Sequence, residues 1–279
     1  MKGIYVVKFG GNTLADPKNV DSLAGELLDL QKDGVKVVVV HGGGSYISEE
    51  MRSRGLTPVM VGGQRVTDEA AMDCVDTVLH RINNQLVERF SSAGVRAAGM
   101  GAFMFTRSAL RPPYKVMEDG VEKTYDLGLC GYVTSVDPSP ILDLLDAGVV
   151  PVIYPVGTDG ERKLNVNADT MSGGIAVGIG ADELIAVTDV PGILRDFPDP
   201  ASKIDRITLA EIDGLIRDGT ISGGMIPKVE AAASAVRAGA KAVRMVNGTG
   251  GGREISRSMR GEPVGTLIIK ERSQWTSTL

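Results

Sequence analysis

Two short apolar runs, each followed by a glycine-rich turn, constrain the fold of this chain most strongly. Residues 4–7 lead through Lys8 into a glycine pair at positions 10 and 11, and four consecutive valines at 37–40 lead into three glycines at 42–44. Such runs are typical of strands buried on both faces of a parallel sheet. Glycine turns after them let backbone N–H groups approach an anionic oxygen closely. The two runs therefore predict buried strands whose turns form a cradle for an anionic group.

Lys8 indicates which anion this cradle accepts. A lysine at the end of so apolar a run needs an anionic partner, because a buried ammonium group is costly without one. A structural ion pair and a phosphate contact both meet this need, and the adjacent Gly10 and Gly11 favour phosphate. We therefore hypothesise that the chain is a phosphoryl-transfer enzyme.

The remaining sequence alternates helical and strand patterns. Apolar spacing predicts helices over 19–32, 46–54, 69–92, 140–146, 170–180, 209–218 and 228–238, and strands over 94–98, 149–155, 183–187, 242–246 and 265–269. This alternation predicts an α/β fold with an open, mostly parallel central sheet sandwiched between helices, a three-layer αβα arrangement. An Asp-Gly pair at 119–120 predicts a β-hairpin over 114–127. The polar stretch at 157–162 predicts a boundary between two lobes, residues 1–160 and 161–279, of a single domain.

The charge and composition of the chain favour a small-molecule partner. The net charge is −5, and no apolar run approaches the ~20 residues that span a bilayer, so we expect neither nucleic acid nor a membrane as a partner. The first predicted strand begins too early to leave room for a signal peptide, which predicts a cytoplasmic protein. Cys74 and Cys130 are interpreted as reduced thiols, and no Cys/His cluster has the spacing of a metal site.

Several residues that could carry chemistry lie at the ends of predicted strands or in the loops that follow them, at the edge where open α/β sheets bind ligands. They are Lys8, Gly43, Gly44, Arg65, Asn165, Asn167, Asp169 and Lys228. The alternative for each except Lys8 is ordinary turn chemistry, since glycine and asparagine are common turn residues. The P-loop pattern G-x-x-x-x-G-K-[ST], the protein-kinase motifs H-R-D and D-F-G, and the dinucleotide pattern G-x-G-x-x-G are absent, which argues against those classes.

Six motifs occur in order along the chain. They occupy residues 8–12, 41–44, 65–68, 165–169, 188–192 and 224–228. With these motifs the chain resembles the amino-acid kinase superfamily, and most closely its N-acetylglutamate kinase branch. The resemblance runs from residue 4 to about residue 268. The Asn-Val-Asn-Ala-Asp motif at 165–169 and the Gly-Met-Ile-Pro-Lys motif at 224–228 are the most specific to this branch.

The resemblance implies transfer of the γ-phosphoryl group of ATP to the side-chain carboxylate of an N-acylated acidic amino acid. The first expectation for this acceptor is N-acetyl-L-glutamate, in arginine biosynthesis. In the implied site, Lys8 and Lys228 flank the phosphoryl group, and Asp169 holds both ammonium groups. The backbone N–H groups of Gly11 and Gly44 bind the phosphoryl oxygens. A carboxylate acceptor is already ionised, so no general base is required.

The same resemblance implies the binding residues of each substrate. For the acyl amino acid they are Gly43, Gly44, Arg65, Asn165 and Asn167. The planar Arg65 side chain suits the substrate's α-carboxylate, and Asn165 its acylamino end. For ATP they are Lys8, Gly10, Gly11, Thr188, Asp189, Gly192, Met225 and Lys228. Mg²⁺ is expected on the ATP phosphates and not in a protein cage. The lobe 1–160 would hold the acyl substrate and the dimer contact, and the lobe 161–279 would hold ATP.

Two departures from the family pattern leave the acceptor open. Gln64 stands where the family usually has leucine. The hairpin at 114–127 resembles that of relatives in lysine biosynthesis that phosphorylate an aminoadipyl or glutamyl group on a small acidic carrier protein. Basic residues near the hairpin suit such a carrier, or they form an ordinary solvated face. They are Arg107, Arg111, Lys115 and Lys123. A carrier-linked acceptor is therefore the alternative to N-acetylglutamate.

The family resemblance also implies a homodimer. Arginine-inhibited members carry an extra helix before the first strand, so the early first strand here implies an arginine-insensitive dimer. The helix predicted over 69–92 has an apolar stripe that is either a dimer face or a core face. A non-catalytic amino-acid sensor and a dinucleotide-dependent oxidoreductase are the rival classes. The presence of Lys8, Asp169 and Lys228 argues against the first, and the missing dinucleotide pattern argues against the second.

Overall fold

The computed structural model describes residues 3–118, 120–249, 251 and 253–271. The strands are β1 (Ile4–Phe9), β2 (Lys36–His41), β3 (Met60–Val61), β4 (Gln64–Arg65), β5 (Ala97–Gly101), β6 (Thr106–Leu110), β7 (Tyr114–Glu118), β8 (Val121–Tyr125), β9 (Cys130–Val136), β10 (Val150–Tyr154), β11 (Val156–Thr158), β12 (Lys163–Val166), β13 (Glu183–Thr188), β14 (Arg206–Thr208), β15 (Ala242–Asn247) and β16 (Thr266–Ile269). The α-helices are α1 (Asn12–Ala15), α2 (Pro17–Lys32), α3 (Gly44–Ser53), α4 (Glu69–Ser92), α5 (Ser139–Asp146), α6 (Ala168–Gly178), α7 (Leu209–Arg217), α8 (Met225–Arg237) and α9 (Glu254–Met259). In this part of the chain no helix has both the length and the apolar character needed to cross a membrane.

The central sheet places β1 in its middle. Eight strands pair in the order β14-β16-β15-β13-β1-β2-β10-β5. The six strands from β15 to β5 run parallel, and β16 and β14 run against them. The chain continues from β1 to β2 on one side, while β13 pairs with β1 on the other. In open parallel sheets, the crevice outside the carboxyl ends of the strands at such a switch point is where ligands bind.

The four valines of β2 show why its sequence is apolar at every position. Val37 and Val39 pack in the core beneath α2, α3, α4 and α9, whereas Val38 and Val40 pack in the core beneath α5, α6, α7 and α8. Successive side chains of a strand point to opposite faces, and helices cover both faces here. The predicted three-layer α/β fold is therefore confirmed.

The long helix α4 begins and ends where the sequence predicts, at Glu69 and Ser92. The Asp68 carboxylate accepts the Ala71 N–H at 2.8 Å, which is an N-cap of the expected kind. Its apolar stripe is buried in the core of this chain. The stripe is therefore a core face, and the homodimer stays a prediction.

A second, smaller sheet has the strand order β11-β12-β9-β6. Beside it, the hairpin predicted over 114–127 is confirmed as the antiparallel pair β7 and β8. Asp119 of its turn lies outside the described residues. The polar stretch at 157–162 begins at the end of β11 and leads into β12, which pairs antiparallel with β11, so it lies in a hairpin of the smaller sheet. The division of the chain into two lobes stays a prediction.

Most predicted boundaries lie within two residues of the observed ones, and two elements differ by three residues. The strand predicted over 94–98 is Ala97–Gly101, because Gly94 belongs to the turn that ends α4. Its N–H donates to the Ser91 carbonyl at 2.9 Å. The helix predicted from residue 228 begins one turn earlier, at Met225.

Ile175 tests how strongly the packing of α6 stabilises the fold. Its side chain is fully buried, whereas Val177, two residues on in the same helix, is 37% exposed. We expect Ile175→Ala to lower the free energy of unfolding by about 2–5 kcal/mol, since the lost contacts leave a cavity. Val177→Ala is the matched control and should change it by less than about 1 kcal/mol. Urea denaturation measures both variants, and equal losses would contradict this packing.

Candidate active site

Lys8 lies near the carboxyl end of β1, on the face of the sheet that α6 covers. Val6 packs beneath α6, and the period of two along a strand directs Lys8 to the same side. The first turn of α6 carries Asp169, whose Oδ1 is 2.9 Å from Lys8 Nζ. Asn167 begins this helix, since its side-chain oxygen accepts the Asp169 N–H at 2.8 Å. Lys8 and Asp169, brought together from residues far apart in sequence, therefore form an ion pair at the centre of the sheet.

The two glycine turns lie against each other beside Lys8. A Cβ on Gly10 would be 3.2 Å from the Gly42 backbone nitrogen, so the turns after β1 and β2 meet backbone to backbone. Gly11 has a φ of 61°, in the left-handed region that favours glycine. A Cβ on Gly43 would be 2.8 Å from a side chain of α4. Gly44, the first residue of α3, is exposed. The sequence-predicted turns therefore come together as one cradle.

His41 supports the second turn from beneath. It is fully buried, its Nδ1 lies 2.9 Å from the Gly42 carbonyl, and Asn83 of α4 lies 3.2 Å from its Nε2. The Asn83 amide also donates to the Val152 carbonyl at 2.9 Å. Burial lowers the pKa of His41 to about 4, so its neutral ring donates from Nδ1 and accepts at Nε2. Asn83 is not among the residues predicted for the site, although a polar residue on the apolar stripe of α4 is a sequence signal for such a support.

Arg65 contributes a buried positive charge. It is 6% exposed, and its guanidinium donates to the Gly44 carbonyl at 2.9 Å and to the Ser48 hydroxyl at 2.8 Å. Burial, and then the neighbouring Arg52, lower the pKa of Arg65 from its ordinary value. Within the described part of the chain, no carboxylate forms an ion pair with Arg65. The guanidinium is therefore available to a carboxylate ligand.

Thr67 links Arg65 and Asn165 through its hydroxyl group. It is fully buried, and its hydroxyl donates to the Arg65 carbonyl at 2.8 Å and accepts the Asn165 amide at 3.0 Å. Arg65, Asn165, the glycine turns and the Lys8–Asp169 pair line a first cavity of about 170 Å³. Gln64 and Cys130, which the sequence analysis did not place in the site, line the same cavity.

Lys228, in the first turn of α8, pairs with a different carboxylate from Lys8. Its Nζ is 2.5 Å from Asp189 Oδ1. This corrects the expectation that Asp169 holds both ammonium groups. The turn after β13, which carries Asp189, and the start of α8 line one cavity, and this places Asp189 next to Lys228.

A third cavity, of about 450 Å³, lies between that turn and α8. Four of the residues predicted to bind nucleotide line it: Asp189, Gly192, Met225 and Lys228. Thr188 lies behind this wall, and its hydroxyl bonds to the Val190 carbonyl at 3.0 Å. This hydroxyl therefore helps to hold the turn, and the nucleotide contact of Thr188 stays a prediction.

A second cavity, of about 550 Å³, lies between α6 and α8 and adjoins the other two. It shares Asn167 and Asp169 with the first cavity and Lys228 with the third. The ion pairs of Lys8 and Lys228 therefore lie along one row of cavities. Arg65 lines one end of this row, and the turn after β13 lines the other.

The sequence profile of the amino acid kinase family matches residues 3–247. The chain belongs to this family. Among similar kinases are an acetylglutamate kinase of Methanothermobacter thermautotrophicus, 40% identical over 87% of this chain and 85% of the relative, and one of Methanococcoides burtonii, 34% identical over 96% and 90%. The crystal structure of smu.665 from Streptococcus mutans UA159 is similar to this amino acid kinase with a TM-score of 0.74 and 26% identity, over 96% of this chain and 99% of that one.

His41 predicts how the stability of this amino acid kinase depends on pH. Its pKa falls from 6.5 to about 4 on folding, so between these pH values the unfolded chain binds a proton that the folded chain does not. Stability therefore falls as the pH drops below 6.5, by about 3 kcal/mol in total near pH 4. We expect the free energy of unfolding of His41→Gln to lack this fall between pH 6.5 and 4, because glutamine does not bind a proton in that range. Urea unfolding of both proteins between pH 7 and 4 measures it, and parallel curves would contradict the assignment.

Proposed function

We propose that this chain transfers the γ-phosphoryl group of ATP to the side-chain carboxylate of N-acetyl-L-glutamate, forming N-acetylglutamyl 5-phosphate for arginine biosynthesis. One observation carries the proposal: the Lys8–Asp169 pair lines the same cavity as the buried Arg65, which has no carboxylate partner among the described residues, and the third cavity of the same row is lined by Lys228 and Asp189. An acceptor with two carboxylates needs a cavity of the first kind, and a nucleotide needs one of the second kind. The relatives named acetylglutamate kinase support the choice of acceptor.

The acceptor occupies the first cavity in this proposal. Arg65 binds its α-carboxylate, because its guanidinium, which has no counter-ion among the described residues, matches a carboxylate in geometry and charge. Asn165 and Asn167 bind around the acylamino group, and Gly43 and Gly44 form the floor. The reacting carboxylate then lies toward Lys8. It is ionised at neutral pH, so the protein need not remove a proton from it.

Phosphoryl transfer relies on positioning and on compensation of negative charge. We assign this compensation to the ammonium groups of Lys8 and Lys228. Asp169 fixes Lys8 at 2.9 Å and so keeps its ammonium group at the end of β1. The N–H groups of Gly11 and Gly44 supply fixed dipoles toward the same point. Asp189 holds Lys228 at 2.5 Å at the border of the second and third cavities.

ATP occupies the third cavity in this proposal, with Asp189, Gly192 and Met225 in its wall and Gly10 and Gly11 nearer the phosphates. Mg²⁺, when bound, neutralises charge on the phosphates. The donor set fits this arrangement, since the carboxylates of Asp169 and Asp189 are engaged by lysines and phosphate oxygens are the ligands Mg²⁺ prefers.

The sheet supports assigning the two substrates to two lobes. Strands β1, β2, β5 and β10 come from residues 1–160 and β13 to β16 from 161–279, and the halves meet where β1 pairs with β13. We infer an acyl-substrate lobe and an ATP lobe on this basis. The homodimer and the cytoplasmic location stay predictions.

A carrier-linked aminoadipate or glutamate is the second candidate acceptor. It is favoured by Tyr114 of the β7–β8 hairpin, which lines the second cavity next to the acceptor site. A carrier tail could enter there. One observation argues against this candidate. Lys115 of the same hairpin already pairs with Glu122 at 2.7 Å, as basic residues on an ordinary solvated face do. N-acetylglutamate therefore remains the first choice.

Lys8 and Lys228 test the catalytic assignment. We expect Lys8→Ala and Lys228→Ala each to lower kcat by roughly 10²- to 10³-fold, because each removes a charge that compensates the transition state. Lys36→Ala is the control, since Lys36 begins β2 at the opposite end of the sheet and pairs with Asp146 at 2.6 Å. Hydroxamate formation from N-acetylglutamate and MgATP measures all three. Unchanged turnover in either site variant would overturn the assignment.

Arg65 tests the position of the acceptor. Arg65→Lys keeps the charge but loses the two-pronged contact, so we expect the KM for N-acetylglutamate to rise about 10- to 100-fold. The KM for ATP should stay within about threefold, as the nucleotide lies elsewhere. Arg54→Lys is the matched control, since Arg54 is exposed and pairs with Glu50 and Asp73. If only the KM for ATP rose, the proposed position of the acceptor at Arg65 would be wrong.

A further inference from the structure

Arg111 lies beside the acceptor site, just beyond the end of β6. Its backbone N–H donates to the Cys130 carbonyl at 2.8 Å, which holds it next to the start of β9. Its side chain lines the second cavity, and Nη2 is 3.4 Å from the hydroxyl of Thr170, the residue after Asp169. Cys130 in turn lines the first cavity. Arg111 therefore stands behind the wall that closes the first cavity on this side.

The guanidinium of Arg111 is only partly satisfied by the protein. Its Nε is buried and meets no hydrogen-bond acceptor of good geometry among the described residues, although the guanidinium lies close to the Cys130 thiol, which is a weak acceptor. The described residues provide no carboxylate within ion-pair distance of Arg111. The carboxylates that line the second cavity are engaged elsewhere: Asp169 by Lys8 at 2.9 Å and Glu230 by Arg237 at 3.3 Å. A buried donor without a partner is costly, so this arrangement favours an anionic ligand.

The wall between Arg111 and the first cavity is polar. Cys130 Sγ is 3.9 Å from the Gln64 side-chain oxygen, and both residues line the first cavity. Burial raises the pKa of the Cys130 thiol, although Arg111 opposes this, so the thiol stays protonated and supplies no negative charge to Arg111. Gln64 also lines the second cavity, as do Gly63, Asn167 and Asp169. The two cavities therefore adjoin at Gln64, and Arg111 lines the second of them.

The proposed acceptor leaves one group for this wall. Its α-carboxylate is assigned to Arg65 and its reacting carboxylate lies near Lys8. Its N-acyl group is therefore the part that faces the wall formed by Gln64 and Cys130. In that placement a short acyl group would end in the first cavity, at Gln64 and Cys130, and a longer one would reach the second cavity, which Gln64 also lines.

We propose that Arg111 selects N-acyl groups that end in a carboxylate, so that this kinase accepts N-acylglutamates such as N-succinylglutamate as well as N-acetylglutamate. Gln64 and Cys130 border the path of the chain, and Arg111 binds the terminal carboxylate. This inference rests on the proposed function, because it takes the placement of the acceptor on Arg65 from it.

Three acceptors and three variants test the proposal. The acceptors are N-acetyl-L-glutamate, N-succinyl-L-glutamate and N-butanoyl-L-glutamate, the last two matched in carbon number but not in charge. Arg111→Met removes the charge, Arg111→Lys keeps it, and Arg107→Met is the control on β6, where Arg107 is exposed. The readouts are kcat/KM from hydroxamate formation and affinity from titration calorimetry. Thermal unfolding checks that each variant folds.

The wild type should favour the succinyl over the butanoyl substrate by about tenfold or more in kcat/KM and in affinity. Arg111→Met should abolish this preference and leave N-acetylglutamate within about threefold, while Arg111→Lys should keep part of it and Arg107→Met all of it. Absence of the preference in the wild type overturns the proposal. Equal losses for acetyl and succinyl substrates in Arg111→Met overturn it too.

The two proposals fail in different ways. If the wild type phosphorylates none of the three acceptors, the proposed function fails. Calorimetry still decides the inference in that case, through the Arg111-dependent difference between succinyl and butanoyl binding. Phosphorylation of N-acetylglutamate without such a difference overturns the inference alone.

Discussion

The ion pair between Lys8 and Asp169 is the contact on which the candidate site depends. Lys8 lies on the middle strand of an eight-stranded sheet, and Asp169 lies in the first turn of the helix above it. A lysine among apolar residues is costly without a counter-ion, so the start of α6 must lie over the end of β1. Asn167 fixes that start by capping the helix. The glycine turns and Lys8 line the first cavity with Asp169, and Asp169 also lines the second cavity.

Charge is distributed unevenly around this centre. Lys8 and Lys228 each have a carboxylate partner within 2.9 Å, whereas the guanidiniums of Arg65 and Arg111 have none in the described ranges. The paired lysines are held in position before any ligand arrives, as charge compensation in a transition state requires. The unpaired arginines leave positive charge for groups the ligand brings. This division separates the groups we assign to chemistry from those we assign to recognition.

Local sequence predicted the elements of the fold but not all of their contacts. The valines of β2 and the Asp68 cap of α4 could be read directly, because a strand buried on both faces and an N-cap depend on neighbouring residues. The pairing of Lys228 with Asp189 and the His41–Asn83 contact could not, because each joins segments about 40 residues apart. Thr188 lies in one of the family motifs, but the motif did not indicate that its hydroxyl bonds to the Val190 carbonyl within the turn.

The sequence by itself determined the three-layer fold and the two glycine turns at its centre, because apolar runs bury strands and glycines permit turns that few other residues can form. Its motifs also placed the chain among the amino acid kinases. Only the tertiary structure decided which carboxylate holds which lysine, and that Arg111 lines the second cavity, which adjoins the first at Gln64. The physical reason is that ion pairs and cavity walls depend on distances between segments remote in sequence, and sheet packing sets those distances.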